Sequence, residues 1–277
     1  MVPVGTLILD ANTIWQLEDP VVREKVKGSL RSADLEFHPT AINLLEVVRT
    51  GNPARRLRLI NTLASLAAGF PVRPLPSEAL KAAGEMVGAG RDAFTWPESK
   101  MEWMLYEPER ITSVHVQAAG SMLDEQQADF DQQHRTARRH VRRYLKDKGV
   151  KDPWGSVPAF LDSQWTTTSQ LDSFIEAAWE TLELPGKPDV EKMLKNELWR
   201  LYFDGFGATV YERAVQSQSL PPVHVSDIRQ LVYLAGTFRR VLVTDDGGLI
   251  RVANAVLRQR YEGTRVLTFS QFLDLAS

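Results

Sequence analysis

Val4–Thr13 reads VGTLILDANT, and the fold class turns on this stretch. Val4, Leu7, Ile8 and Leu9 make a short apolar run that Asp10 and Asn12 cut off. Runs of this kind fit a parallel strand covered by helices on both faces. Working outward, residues 11–31 have helical spacing, broken or restarted at Pro20, which has no amide hydrogen to give a helix interior. Leu35–Phe37 predicts a second strand, stopped by His38-Pro39. Thr40 suits the N-cap of a helix through Arg49, with Ile42, Leu45 and Val48 at helical spacing. Gly51-Asn52-Pro53 closes that helix and opens another to about Ala68. FPVRPLP predicts a third strand around Val72–Leu75, then a helix capped by Ser77 and running to about Val87.

The last quarter repeats the alternation. Ser226–Phe238 predicts a helix with Ile228, Leu231, Val232 and Ala235 inward. A strand over Arg240–Thr244, a helix over Leu249–Gln259, a strand over Arg265–Phe269 and a helix over Ser270–Leu275 follow. Strands alternating with helices imply βαβ units and a parallel sheet. Between these parts the composition changes. Residues 90–220 hold six of the seven tryptophans, Trp96, Trp103, Trp154, Trp165, Trp179 and Trp199. Helical spacing dominates there, and Pro153–Pro158 and Pro185–Pro188 divide it into two or three pieces. The expected organisation is an α/β domain over residues 1–88 plus 222–277, interrupted by a helical insertion over 89–221.

Composition excludes several classes. The chain has 277 residues, long enough to bury a core without staples, and no cysteine. That removes disulfide frameworks, zinc fingers, iron–sulfur sites and thiol nucleophiles together. No apolar run reaches the ~18 residues of a membrane span, and the N-terminus shows neither a basic region nor a long apolar one. A soluble, cytoplasmic protein with no membrane partner is expected. Net charge is −2, so bulk charge does not point to nucleic acid. No HExxH pair, nucleophile elbow or phosphate loop is present. Gly205-Phe206-Gly207 lacks the third glycine and the preceding strand of a dinucleotide site.

The strongest constellation is acidic and scattered along the chain. Asp10 ends the first strand, Glu46 sits among Leu44, Leu45, Val47 and Val48, Asp227 opens a helix, and Asp245 and Asp246 follow VLVT. In an open parallel sheet the carboxyl ends of the strands line one crevice. Carboxylates gathered there repel one another, and a hard divalent cation relieves the repulsion. Taken singly, an Asp after a strand is more often a helix cap than a ligand. The joint pattern favours a site. The Gly247-Gly248 doublet beside it allows close backbone approach to an ion or phosphate, or is an ordinary turn.

In order, LILDANTIWQL, INLLEVV, VSDIRQLVYLA and VLVTDDGGLIRVA resemble the PIN-domain family of metal-dependent nucleases. The resemblance aligns Asp10, Glu46, Asp227 and Asp246 with that family's acidic set, with Asp245 a secondary candidate for the metal and Asn12 and Thr244 in polar supporting roles. It implies a three-layer α/β/α domain with a central parallel sheet. It also implies Mg²⁺ or Mn²⁺, and hydrolysis of phosphodiester bonds, usually of RNA, by a metal-activated water. It covers about half the chain; the helical insertion departs from compact members. Many bacterial relatives are toxins held by an inhibitory protein partner, and others serve RNA processing or defence. The length here argues against the small toxin type, and the insertion offers room for a partner or a homodimer contact. Two alternatives stand beside this reading: a non-catalytic module binding nucleic acid or protein, and a structure-specific DNA nuclease whose insertion clamps the substrate.

Asp131–Lys151 carries eight Lys/Arg against two acids. On a helix Arg135, Arg138, Arg139, Arg142 and Lys146 share a stripe suited to phosphates, or to solvent or an acidic partner. Most of the tryptophans are expected in the insertion core rather than stacked on bases.

Overall fold

In a computed structural model, residues 5–91, 95–165, 169–215, 225–236, 239–261 and 263–276 are described, with backbone alone at 164–165, 169–173, 225–227, 258–260 and 276. Four strands, β1 (Gly5–Leu9), β2 (Leu35–Phe37), β3 (Arg240–Val243) and β4 (Thr264–Leu267), form one parallel sheet in the order β2-β1-β3-β4. Leu7, Ile8, Leu9, Leu242 and Val243 are fully buried, as a sheet covered on both faces requires. The chain runs from β1 to β2 on one side and later returns to β3 on the other. The order therefore reverses beside β1, and the crevice at the carboxyl ends of β1 and β3 is where an open α/β sheet binds ligands.

Short helices lead out of the strands. After β1 come α1 (Ala11–Ile14), a 3-10 turn and α2 (Pro20–Ser32). Pro20 is the first residue of α2 and Asp19 its N-cap, accepting from Val21 N–H, so the proline restarts the helix as its chemistry demands. After β2 comes α3 (Ala41–Val48), closed by a reciprocal capping box between Thr40 and Asn43. Asn43 also donates from Nδ2 to the Leu9 carbonyl at 3.0 Å, fastening α3 to the end of β1. Next are α4 (Pro53–Ala67) and α5 (Pro76–Gly88), the latter starting at Pro76 with Leu75 as its N-cap residue rather than at Ser77.

The expected third strand at Val72–Leu75 does not form. Arg73 makes a single parallel bridge to Thr40. Pro71 and Pro74 flank it, and prolines have no N–H to extend a ladder. Arg73 instead holds the Tyr233 carbonyl and lies over the Trp96 ring.

Among the described residues between α5 and β3 there is no strand. They form α6 (Glu102–Tyr106), α7 (Ser113–Lys148), α8 (Val157–Phe160), α9 (Ser169–Thr181), α10 (Val190–Lys195) and α11 (Glu197–Val215). Trp179 and Trp199 are core residues; Trp96, Trp103 and Trp154 pack against the core, and the Trp165 side chain lies outside the described residues. The region expected as a helix over Ser226–Phe238 is a 3-10 segment, Val225–Leu234. Its described side chains, Ile228 to Leu234, are all buried, Arg229 and Gln230 among them. It lies hard against α11: a Cβ on Gly205 would come within 2.7 Å of Ile228. The glycine that failed as a dinucleotide motif serves this close approach. The chain closes with α12 (Gly247–Arg260) and α13 (Phe269–Leu273). No described helix is long and apolar enough to cross a membrane.

Candidate metal and phosphodiester site

Asp10 leaves β1 and occupies the N-cap position of α1, but its side chain makes no cap bond. It is fully buried. Gln230 donates from Nε2 to Oδ1 at 2.7 Å and Thr244 from Oγ1 to Oδ2 at 2.8 Å; Asn12 Nδ2 approaches Oδ2 at 3.5 Å. The three partners come from the 3-10 segment, the end of β3 and α1. Burial holds the Asp10 carboxyl above the ordinary carboxylate range, the bonds from Gln230, Thr244 and the Ala11 amide pull it back, and the nearby Asp246 charge pushes it up again. A carboxylate sequestered from water, with neutral donors only, is a poor structural element and a good ligand.

Asp10 opens onto a cavity of about 340 Å³ whose wall includes Glu46, Arg49, Asp124, Gln126, Gln127, Arg229, Asn12 and Trp15. Glu46 stands one turn after Asn43, so the capping box and the Asn43–Leu9 bond aim it at the end of β1. It pairs with Arg49 at 2.7 Å and retains 19% side-chain exposure. The wall is thus built from α1, α3 and the 3-10 segment on one hand and from α7, within residues 89–221, on the other.

The remaining acids behave differently. Asp246 caps α12, its Oδ1 accepting from the amides of Gly248 (2.7 Å) and Leu249 (3.0 Å). It does not line the cavity, though its charge reaches Asp10. Asp245 turns to Gln16 Nε2 and the Phe269 amide. The Asp227 side chain lies outside the described residues. Gly247 and Gly248 begin α12 with no left-handed backbone, and the space around Gly247 is open, so the doublet is an ordinary helix start. Among the described residues no three His, Asp or Glu side chains converge closely enough to hold one ion. No family model, curated protein or solved structure matches the chain.

The donor set tests the fit of a hard cation. The cavity offers carboxylate and amide oxygens from Asp10, Glu46, Asp124, Gln126 and Gln127, and no sulfur or imidazole. That chemistry suits Mg²⁺ or Mn²⁺.

Sequence reasoning missed Asp124, Arg229, Gln230 and Trp15. In VSDIRQ it singled out Asp227, yet Gln230 is the side chain that reaches Asp10. Asp124 lies on a helix far along the chain, and nothing in its local sequence marks it. The basic stripe is where its spacing put it: Arg135, Arg139, Arg142 and Lys146 are exposed on α7 and Arg138 half-buried.

Proposed function

We propose that the chain is a PIN-like, divalent-metal-dependent endoribonuclease acting on single-stranded RNA. One observation carries the reading. Asp10 starts a helix without capping it and is instead held, buried and partnered only by neutral donors, beside Glu46 at the point where the sheet order reverses. Bound between these carboxylates, Mg²⁺ or Mn²⁺ would supply an activated water and neutralise charge on the scissile phosphate.

The chain's own residues do the rest. Gln230 and Thr244 fix the Asp10 carboxylate, and Arg49 steadies Glu46. Asp124 and the two glutamines add oxygen ligands from α7, directly or through water. Arg229 supplies a cation at the wall for a phosphate oxygen. Asp246 acts on Asp10 through its charge while capping α12, and Asp227 completes the proposed acidic set. No side chain forms a covalent intermediate.

Cleavage of labelled RNA with Mg²⁺ or Mn²⁺ tests this, comparing wild type with Asp10→Asn and Glu46→Gln, and with EDTA. Activity that survives both substitutions, or that ignores EDTA, overturns the reading. Single-stranded DNA and a flapped duplex in the same assay separate RNA from DNA specificity. A second reading, a non-catalytic binding module, draws on Asp245 and Asp246 being engaged with backbone amides. It predicts RNA binding without turnover, insensitive to Asp10→Asn.

A further inference from the structure

The same helix that walls the cavity carries the basic stripe, and helical geometry aligns the two. Arg135 and Arg142 follow Asp124 by 11 and 18 residues, close to three and five turns at 3.6 residues per turn. Asp124, Arg135 and Arg142 therefore share one face of α7, with Arg138 and Lys146 beside them. Asp131 is the acid within this run, and Arg135 Nε donates to its carbonyl. Arg142 reaches the Arg213 carbonyl and stays exposed. His134, Val141 and Leu145 lie ~60–100° round the helix from the line of Asp124, Arg135 and Arg142 and are buried, so the stripe runs along the border between the packed side of α7 and solvent, with Arg135, Arg142 and Lys146 exposed. At ~1.5 Å per residue the stripe begins ~17 Å from Asp124 and ends ~33 Å away at Lys146.

We propose that this face of α7 is a one-sided track for a single nucleic-acid strand leading away from the cavity. It rests on the reading of the cavity as the cutting site. A stacked strand advances ~3.4 Å per nucleotide, so the track accepts phosphates from about five to about ten nucleotides on one side of the scissile bond. The substrate is then a strand extended on that side, and short oligonucleotides engage the cavity alone.

The test is fluorescence anisotropy of labelled oligouridylates of 4, 8, 12 and 24 nucleotides in EDTA, where no metal-dependent cutting can occur. Two triple variants of equal charge change are compared. One removes the track (Arg135→Gln, Arg142→Gln, Lys146→Gln). The other removes cations off it (Arg143→Gln, Lys148→Gln, Lys151→Gln). Wild-type affinity should climb steeply up to about 12 nucleotides and then flatten. The track variant should lose about tenfold or more on the 24-mer, with its log-affinity salt slope falling by about 2, and under twofold on the 4-mer. The off-track variant should stay within about threefold. Circular dichroism checks that α7 is intact; should the triple variant lose helix, Arg138→Gln/Arg139→Gln replaces it with the same length-dependent loss expected. Equal losses in both triples, affinity independent of length, or competition by polyglutamate as strong as by RNA (the mark of an acidic protein partner) overturns the track. Length-dependent binding lost in the track variant, without metal-dependent cutting by wild type, supports the track and removes the nuclease reading. Unchanged cutting of the 24-mer by the track variant does the reverse.

Discussion

β1 and β3 are neighbours in one parallel sheet, and each is followed by an aspartate at a helix start, yet the two acids do different work. Asp246 gives an oxygen to two amides of α12 and behaves as a cap. Asp10 occupies the same kind of position before α1, makes no cap bond, and is held by Gln230 and Thr244 instead. Thr244 joins the two ends: its hydroxyl donates to Asp10 and accepts the Asp246 amide at 3.0 Å. Sequence position at a strand end is thus insufficient to assign a ligand. What separates the two is that Asp246 is spent on two amides of its own helix, whereas Asp10 is buried and held by side chains from two other elements.

The largest expected effect on this contrast is catalytic. Asp10→Asn and Glu46→Gln should each lower metal-dependent RNA cleavage by about 100-fold or more, while Asp245→Ala should cost less than about fivefold, since removing a charge that positions an ion costs several kcal/mol and removing a helix contact does not. Comparable losses in all three would erase the distinction between the cavity carboxylates and Asp245, which is engaged by Gln16 and the Phe269 amide.

Acid titration sharpens it further by setting Asp10 against a buried base. His134, enclosed between α7 and α11 against Phe206, is held down to about 4 by burial and by the Arg213 charge. Its folded pKa lies below the unfolded value of 6.5, so the unfolded chain binds more protons between about pH 6.5 and 4 and stability falls across that window. The loss amounts to up to about 3 kcal/mol. Asp10 has the opposite sign: its raised pKa means the fold binds that proton more tightly, so protonation relieves the buried charge as pH falls. Urea melts of the metal-free protein should show net acid destabilisation in wild type and a flatter profile in His134→Phe. An unchanged slope in that variant would contradict the buried, neutral histidine.

Stability at pH 7 should move in opposite directions at the two strand ends. Asp246→Ala removes a cap and should cost about 1 kcal/mol, lowering Tm by about 2–4 °C in a chain of this size. Asp10→Asn removes a buried charge and should raise the Tm of the metal-free protein by a few degrees, as expected where a functional group is held at the expense of stability. Calorimetry of both variants checks the signs. The smallest effect belongs to the shared hydroxyl. Thr244→Val removes a donor that favours ionised Asp10, so the acid limb of the activity profile should shift to higher pH, with a several-fold loss at pH 6 and less at pH 8.

Much of this arrangement was legible from residue order. The apolar run ending at Asp10 and the VLVT run ending at Asp245-Asp246 are the two central strands, and Thr40 does cap the helix bearing Glu46. Local chemistry set these features, and local chemistry is what sequence displays. The FPVRPLP stretch has the apolar alternation of a strand, but Pro71 and Pro74 lack the amides a ladder needs, so only the Arg73–Thr40 bridge forms. The Val225–Leu234 segment departs from the expected α-helix, and it packs against α5, α7, α11, α12 and the central strands, contacts with no local signature. Asp124 was invisible for the same reason: helical spacing gives the face it shares with Arg135 and Arg142, but not that the face passes the end of β1.

The account is tested most directly by Mn²⁺ titration followed by electron paramagnetic resonance, which reads free ion and needs no substrate. Wild type should take up Mn²⁺ saturably, with Mg²⁺ competing, and Asp10→Asn and Glu46→Gln should each lose that uptake while Asp245→Ala retains it. Undiminished uptake in Asp10→Asn would contradict the claim that a divalent ion sits where β1 and β3 end.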